Sequence, residues 1–223
     1  MGNGQSTKDK IVIIIWLVFQ ALILTLLASL LFSNTRGNSD TNLLNIDTRS
    51  LIFIGACIIL LARLGVTALV LLPRRMSISE AVIVGLWSAV IYTTLTFATL
   101  VNDRPFGLPG IIGIVFFLLG SFVNSFSEFQ RKRFKDDPVN KGRLYQDGLF
   151  SLSMHINYFG DILWSIGLAL IAGTLWGFII PVLMIIMFIF IHIPRLDSHL
   201  AEKYDSQFRE YKKKTKVLIP WIY

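Results

Sequence analysis

The feature that most limits what this chain can become is its series of apolar windows, each long enough to cross a bilayer. A helix needs about 20 apolar residues to span the hydrocarbon core. Windows of that kind run from Ile11 to Phe32, Leu51 to Leu72, Ser79 to Val101, Leu108 to Phe126, Leu152 to Ala172 and Leu175 to Ile193. Inside lipid the backbone must satisfy its own hydrogen bonds, so each window reads as a helix. The 223 residues are 54% hydrophobic, which fits a multi-pass membrane protein. The expected fold is therefore all-α: one membrane domain over 1–223, a bundle of about six transmembrane helices with a C-terminal amphipathic cytoplasmic helix. Within it, 11–101 reads as a three-helix scaffold or cavity wall, and the polar chemistry concentrates in 108–223. The first window is too long, and too lacking in a small-residue cleavage site, for a removable signal peptide.

Cytoplasmic loops retain Lys and Arg. With both termini inside, 17 of the 21 basic residues fall on the inner face, at Lys8 and Lys10, Arg74 and Arg75, the stretch Arg131–Arg143, and the tail from Arg195 to Lys216. Arg36, Arg49 and Arg104 fall outside and Arg63 lies within a span. This predicts an integral protein of a bacterial plasma membrane or the endoplasmic reticulum, with both termini cytoplasmic. The net charge of +7 is mostly a property of the inner face, attractive to anionic headgroups and phosphorylated ligands. Nucleic acid is not an expected partner, and a lone Cys57 excludes an internal disulfide and a cysteine metal cluster; no metal site is expected. Gly2 and Ser6 match the loose myristoylation pattern by coincidence, since six spans make a lipid anchor redundant.

The stretch from Asn124 to Trp164 crowds charge, amide and ring chemistry between two apolar windows. No Pro or Gly interrupts the fourth helix after Gly120, so it should continue to about Phe134, placing Asn124 and Glu128 one turn apart on one face. Asn157 and Asp161 are likewise four apart, and a carboxylate at that depth is a candidate functional group. Beyond the sixth window, Leu196, Leu200, Tyr204, Phe208 and Tyr211 recur at three and four, which predicts an amphipathic helix lying on the membrane or against the core. The run Lys212–Lys216 reads as a surface facing anionic lipid.

With those residues in view, the segment from Asn124 onward resembles the C-terminal domain of the steroid 5-alpha-reductase family, including its bacterial membrane members. The matching pieces are FKDDPVNKGRLYQDGLF, NYFGD in place of the family's Asn-Tyr-Phe-Gly-Glu, and the closing KTKVLIPWIY. The resemblance implies NADPH held at the cytoplasmic mouth of a helical cavity and reduction of a carbon–carbon double bond conjugated to a carbonyl in a lipophilic small molecule. By position it assigns cofactor contacts to Asn124, Glu128, Lys135, Arg143, Asn157, Asp161, Arg195, His199 and Tyr204. Arg and Lys suit phosphates, while Asn and carboxylate groups suit amides and ribose hydroxyls.

Two departures stand out. The family pairs a Glu and a Tyr on N-terminal spans to polarise the ketone, and here the catalytic candidates in those spans are Tyr92, Glu80 and Arg63. Glu80 and Tyr92 are twelve residues apart, about 18 Å along a helix, so they cannot grip one oxygen together. Asn102 and Arg104 resemble a family loop motif but fall on the opposite face of the expected topology. The alternative is a membrane methyltransferase of the isoprenylcysteine or phospholipid type holding S-adenosylmethionine. Its Arg-His-Pro-x-Tyr-x-Gly would correspond to Met154–Gly160, without the Arg and Pro, and Asp197 would replace its tail Glu. A third reading is a non-catalytic lipid-binding membrane protein.

Overall fold

The computed structural model describes residues 7–36, 47–71 and 76–223. Gly2 and Ser6, most of the first outer loop, and Arg74 and Arg75 lie outside the described residues. Among the described residues seven α-helices follow one another: α1 (Thr7–Arg36), α2 (Thr48–Val66), α3 (Ile78–Leu100), α4 (Leu108–Asp136), α5 (Ile156–Ala172), α6 (Ile179–Met187) and α7 (Ile193–Lys214). No strand occurs among the described residues. Among the described residues five helical stretches are long and apolar enough to cross a membrane, and α5, with 17 residues, is a shorter apolar helix. The protein is a multi-pass helical membrane bundle. Large apolar side chains such as Ile15, Leu26, Ile83 and Phe122 are exposed, as helices facing lipid require.

The chain divides into two compact units, one of residues 1–114 with 167–180, the other of 115–166 with 181–223. In the first, α1 crosses α3 at Gly85, where a Cβ would lie 3.3 Å from both Trp16 and Gln20. The missing side chain lets the buried Gln20 donate from Nε2 to the Gly85 carbonyl at 3.1 Å. A bond between polar groups at this depth ties helices together.

The other end of this unit is closed by Arg49. Its guanidinium, 4% exposed, donates to the carbonyls of Ile171 (2.6 Å), Arg104 (3.1 Å) and Pro105 (3.2 Å). Asn102 Nδ2 donates to the Ala172 carbonyl at 2.9 Å, so the last carbonyls of α5 are capped by two side chains. Gly173 turns the chain there at φ 77°, with the Arg49 and Asn102 side chains where its Cβ would be. Arg49, the turn Asn102–Pro105 and the end of α5 thus meet at one end of the unit. Arg49→Ala is expected to lower unfolding free energy by about 2 kcal/mol, the order for losing charge-assisted bonds to buried acceptors. Thermal unfolding in detergent checks it.

In the second unit, α4 and α5 pack through glycine. A Cβ on Gly120 would lie 2.6 Å from the Gly160 carbonyl oxygen and closer still to the Trp164 amide nitrogen. One on Gly160 would lie 2.6 Å from the Asn124 nitrogen. Small residues allow this backbone-to-backbone approach.

Two boundaries differ from the sequence-based expectation. The fifth span was expected from Leu152, near Gly148, but Gly148–Ser151 forms a 3-10 turn and α5 starts only at Ile156. The intervening backbone is committed elsewhere: Met154 and His155 donate to the carbonyls of Lys216 and Val217, at 2.8 and 3.0 Å. The sixth span and the tail helix, expected as separate elements, follow one another without a loop from Leu175 to Lys214, with a kink at Asp205, whose φ is 37°. Pro194 opens α7, and the turn before it, Phe188–His192, widens to a π-helix. A proline has no N–H and its ring crowds the carbonyl four residues back, so the local hydrogen-bond register shifts. These 40 residues are about twice the number that spans the hydrocarbon core, so only the apolar part to about Ile193 lies in the membrane.

Candidate functional site

The chemistry in the second unit is built on the α4–α5 contact. Because glycine brings the two backbones together, Asn124 donates from Nδ2 to the Asn157 carbonyl at 3.1 Å. Asn157 in turn donates from Nδ2 to Glu128 Oε1 at 2.9 Å. Glu128 also pairs with Arg131 on the next turn of α4. All four are partly buried, so this is an ordered chain of amide, carboxylate and guanidinium rather than a solvated surface. Asp161, one turn along α5 from Asn157, accepts from Trp164 Nε1 at 2.7 Å.

A second group forms where α4 leaves the bundle. Lys135 Nζ donates to the Tyr204 hydroxyl at 3.0 Å and to the Arg143 carbonyl, so it bridges α4, the following loop and α7. Burial pushes the Tyr204 phenol up, but the bond from Lys135 and the charges of Lys135 and Lys203 hold it below its ordinary range. The loop is shaped by Asp137, which accepts from the Val139 amide at 3.0 Å, and by Gln130, which accepts from the Leu149 amide at 3.0 Å. Gly148, at φ 59°, stands against Gln130 where a side chain would clash. The Arg143 guanidinium is exposed, its Nη1 3.5 Å from Asn140 Oδ1. Arg195 and His199 are exposed on α7.

The structure therefore brings Asn124, Glu128 and Asn157 into one cluster and Lys135, Arg143 and Tyr204 into another. Tyr92, Glu80 and Arg63 belong to the first unit. Tyr92 is 1% exposed, and its hydroxyl has no hydrogen-bond partner among the described residues. Glu80 sits in the first turn of α3, its amide capped by Ser77 Oγ at 3.1 Å, and Arg63 in the last turn of α2.

A third group joins His155, from the Met154–Gly160 stretch of the methyltransferase alternative, to Asp197 and Lys212. His155, 1% exposed, bonds through Nε2 to Asp197 Oδ1 at 2.9 Å, and Lys212 Nζ donates to Asp197 Oδ2 at 3.1 Å. Burial pushes the Asp197 carboxyl up, but the hydrogen bonds and charges of His155 and Lys212 outweigh it and hold the group below its ordinary range. The His155 ring stacks on Tyr158 at 5.6 Å between centroids, and Tyr158 stacks on Phe188 at 4.5 Å. The signal was present as two polar residues 42 positions apart, without local periodicity to link them.

The second unit thus carries an amide–carboxylate chain on two glycine-packed helices, beside a cationic loop. Residues 75–215 match the family described as protein of unknown function (DUF1295), and the chain belongs to it. The resemblance to steroid 5-alpha-reductases also holds: the chain is 29% identical over 112 residues to 3-oxo-5-alpha-steroid 4-dehydrogenase 2 of Homo sapiens, half of this chain and 42% of that protein. It is 36% identical over 92 residues to Probable O-methyltransferase ustE of Ustilaginoidea virens, 41% of this chain and 32% of that protein. It is 26% identical over 121 residues to Protein-S-isoprenylcysteine O-methyltransferase of Saccharomyces cerevisiae, half of this chain and 49% of that protein. The match thus spans a third to a half of the length of these curated relatives. The names of these relatives are those of a steroid dehydrogenase and of two O-methyltransferases.

Proposed function

We propose that the protein is an NADPH-dependent membrane reductase that acts on a carbon–carbon double bond conjugated to a carbonyl in a lipophilic substrate. The observation that carries this reading is the Asn124–Asn157–Glu128–Arg131 chain next to the Lys135–Arg143–Tyr204 group. The donor set fits a polyanionic dinucleotide. From Asn124 to Arg143 there are six Lys and Arg against three carboxylates, and Lys135 and Arg143 are exposed to receive phosphate oxygens. The cofactor supplies the hydride. This chain's residues bind and orient: Lys135 and Arg143 hold phosphate, with Lys135 steered by Tyr204, while Asn157 and Glu128 present amide and carboxylate to hydroxyl and carboxamide groups. Asp161, Arg195 and His199 are proposed as further contacts. Tyr92 is proposed as the donor that polarises the substrate carbonyl, with Arg63 and Glu80 as the remaining candidates in the N-terminal spans.

One observation favours S-adenosylmethionine instead: the His155–Asp197 pair joins the two positions that the methyltransferase reading requires. Against it, both Asp197 oxygens already have partners, His155 and Lys212. A sulfonium cation also gains nothing from a cationic loop.

Asn157→Ala and Arg143→Ala are each expected to weaken NADPH binding by about 1 to 3 kcal/mol, the range for a lost bond to a charged group. Titration of the folded variants in detergent measures it, and unchanged affinity in both sinks the assignment. We propose both termini in the cytoplasm. A reporter after Tyr223 and a cysteine label at Asn140 should then report the inside and a label at Asn38 the outside; any other pattern means a miscounted span.

A further inference from the structure

We propose that Ile219–Tyr223 is an interfacial hook that anchors the tail in an anionic lipid surface, with the Lys212–Lys216 run supplying the charge. The apolar stripe of α7 does not serve this purpose. Tyr204, Phe208 and Tyr211 are buried together with Leu144 and Met154, so the helix lies against protein. Tyr211 also donates its hydroxyl to the Phe150 carbonyl at 2.5 Å.

The hook beyond it has the opposite character. Trp221 is 78% exposed, Ile222 74% and Tyr223 51%. Part of its backbone, however, is folded into a turn: the amides of Leu218 and Ile219 donate to the Tyr223 main-chain oxygen at 2.7 and 2.6 Å, and those of Ile222 and Tyr223 donate to the Ile219 carbonyl at 3.1 and 3.0 Å. Peptide groups paired within a turn cost less to bring to the polar headgroup level of a membrane than open ones do.

Its depth is set by the segment before it. Lys216 and Val217 accept from the amides of Met154 and His155, immediately before α5, and Ser153 Oγ donates to the carbonyls of Val217 and Leu218 at 3.1 and 2.8 Å. Leu218 is buried with Ile162 of α5 and Ile193 at the end of the sixth span. The hook is therefore tied to the level at which α5 enters the membrane. Lys212, Lys213, Lys214 and Lys216 are exposed beside it. Trp and Tyr next to Lys is the composition that settles at the headgroup layer of an anionic leaflet.

The test uses the full chain with Cys57→Ser and Ile222→Cys, labelled with a polarity-sensitive NBD dye, in nanodiscs of phosphatidylcholine with or without roughly a third phosphatidylglycerol. Expected are blue-shifted emission, quenching by lipids brominated high on the acyl chain, and at least about a twofold loss of quenching when the four lysines become Gln or salt reaches about 1 M. In the otherwise unmodified chain, Trp221→Ala should remove part of the tryptophan quenching by the same lipids. Water-like emission with no quenching in either nanodisc overturns the proposal. So does protection that appears only in native membranes, which assigns the hook to a protein partner, or quenching indifferent to lipid charge and salt.

Discussion

Gly120→Leu is expected to reduce NADPH affinity by more than about 30-fold, because about 2 kcal/mol of lost interaction corresponds to that factor. The side chain has nowhere to go. Its first carbon would already overlap the Gly160 carbonyl oxygen and the Trp164 amide nitrogen, and both are backbone atoms of α5 that cannot rotate aside. Overpacking a well-packed contact costs about 1 to 3 kcal/mol, and here relief requires the helices to separate. Asn124 is one turn from Gly120, so separation breaks its bond to the Asn157 carbonyl and withdraws Asn157 from Glu128. Fluorescence titration of monodisperse protein measures the loss. Affinity within about threefold of the parent would mean that the glycine contact does not position the site.

Tyr92→Phe is expected to lower turnover of a conjugated enone by about 100-fold or more with cofactor affinity unchanged, the scale for removing one donor to a developing oxyanion. The hydroxyl is buried and lacks a partner among the described residues, and on the proposed reading its proton goes to the substrate carbonyl. The substitution removes one oxygen and creates no steric conflict. Enone-dependent oxidation of NADPH, measured beside the binding constant, separates chemistry from binding. Unaltered turnover would remove Tyr92 and direct attention to Arg63 and Glu80.

The multi-pass helical bundle was legible because apolar runs of about 20 residues admit one solution in lipid, although the six separate spans expected became five long stretches and a short α5 among the described residues. The extension of α4 was legible too: without Pro or Gly after Gly120 the helix should run to about Phe134, and it ends at Asp136. The Asn124, Glu128 and Asn157 cluster followed from spacing of four on two helices, although spacing says nothing about which faces meet. That was decided by Gly120 and Gly160, whose role appears only once the backbones approach. The late start of α5 was not legible, because Ser153, Met154 and His155 are held by tail residues more than 60 positions away. Arg49 was counted as an outer-loop charge, yet it is a buried cap on α5, since its partners are carbonyls with no sequence signature. The joining of α6 and α7 escaped the window reading because Pro194 marks a break in sequence but only shifts the helix to a π turn in space.

The reductase reading is tested most directly by titrating NADPH, NADH and S-adenosylmethionine, in parallel, into the detergent-purified full chain. Saturable NADPH binding, weakened by Arg143→Ala and by high salt and unaffected by excess S-adenosylmethionine, is the predicted result. Saturable S-adenosylmethionine binding that NADPH does not displace would contradict it.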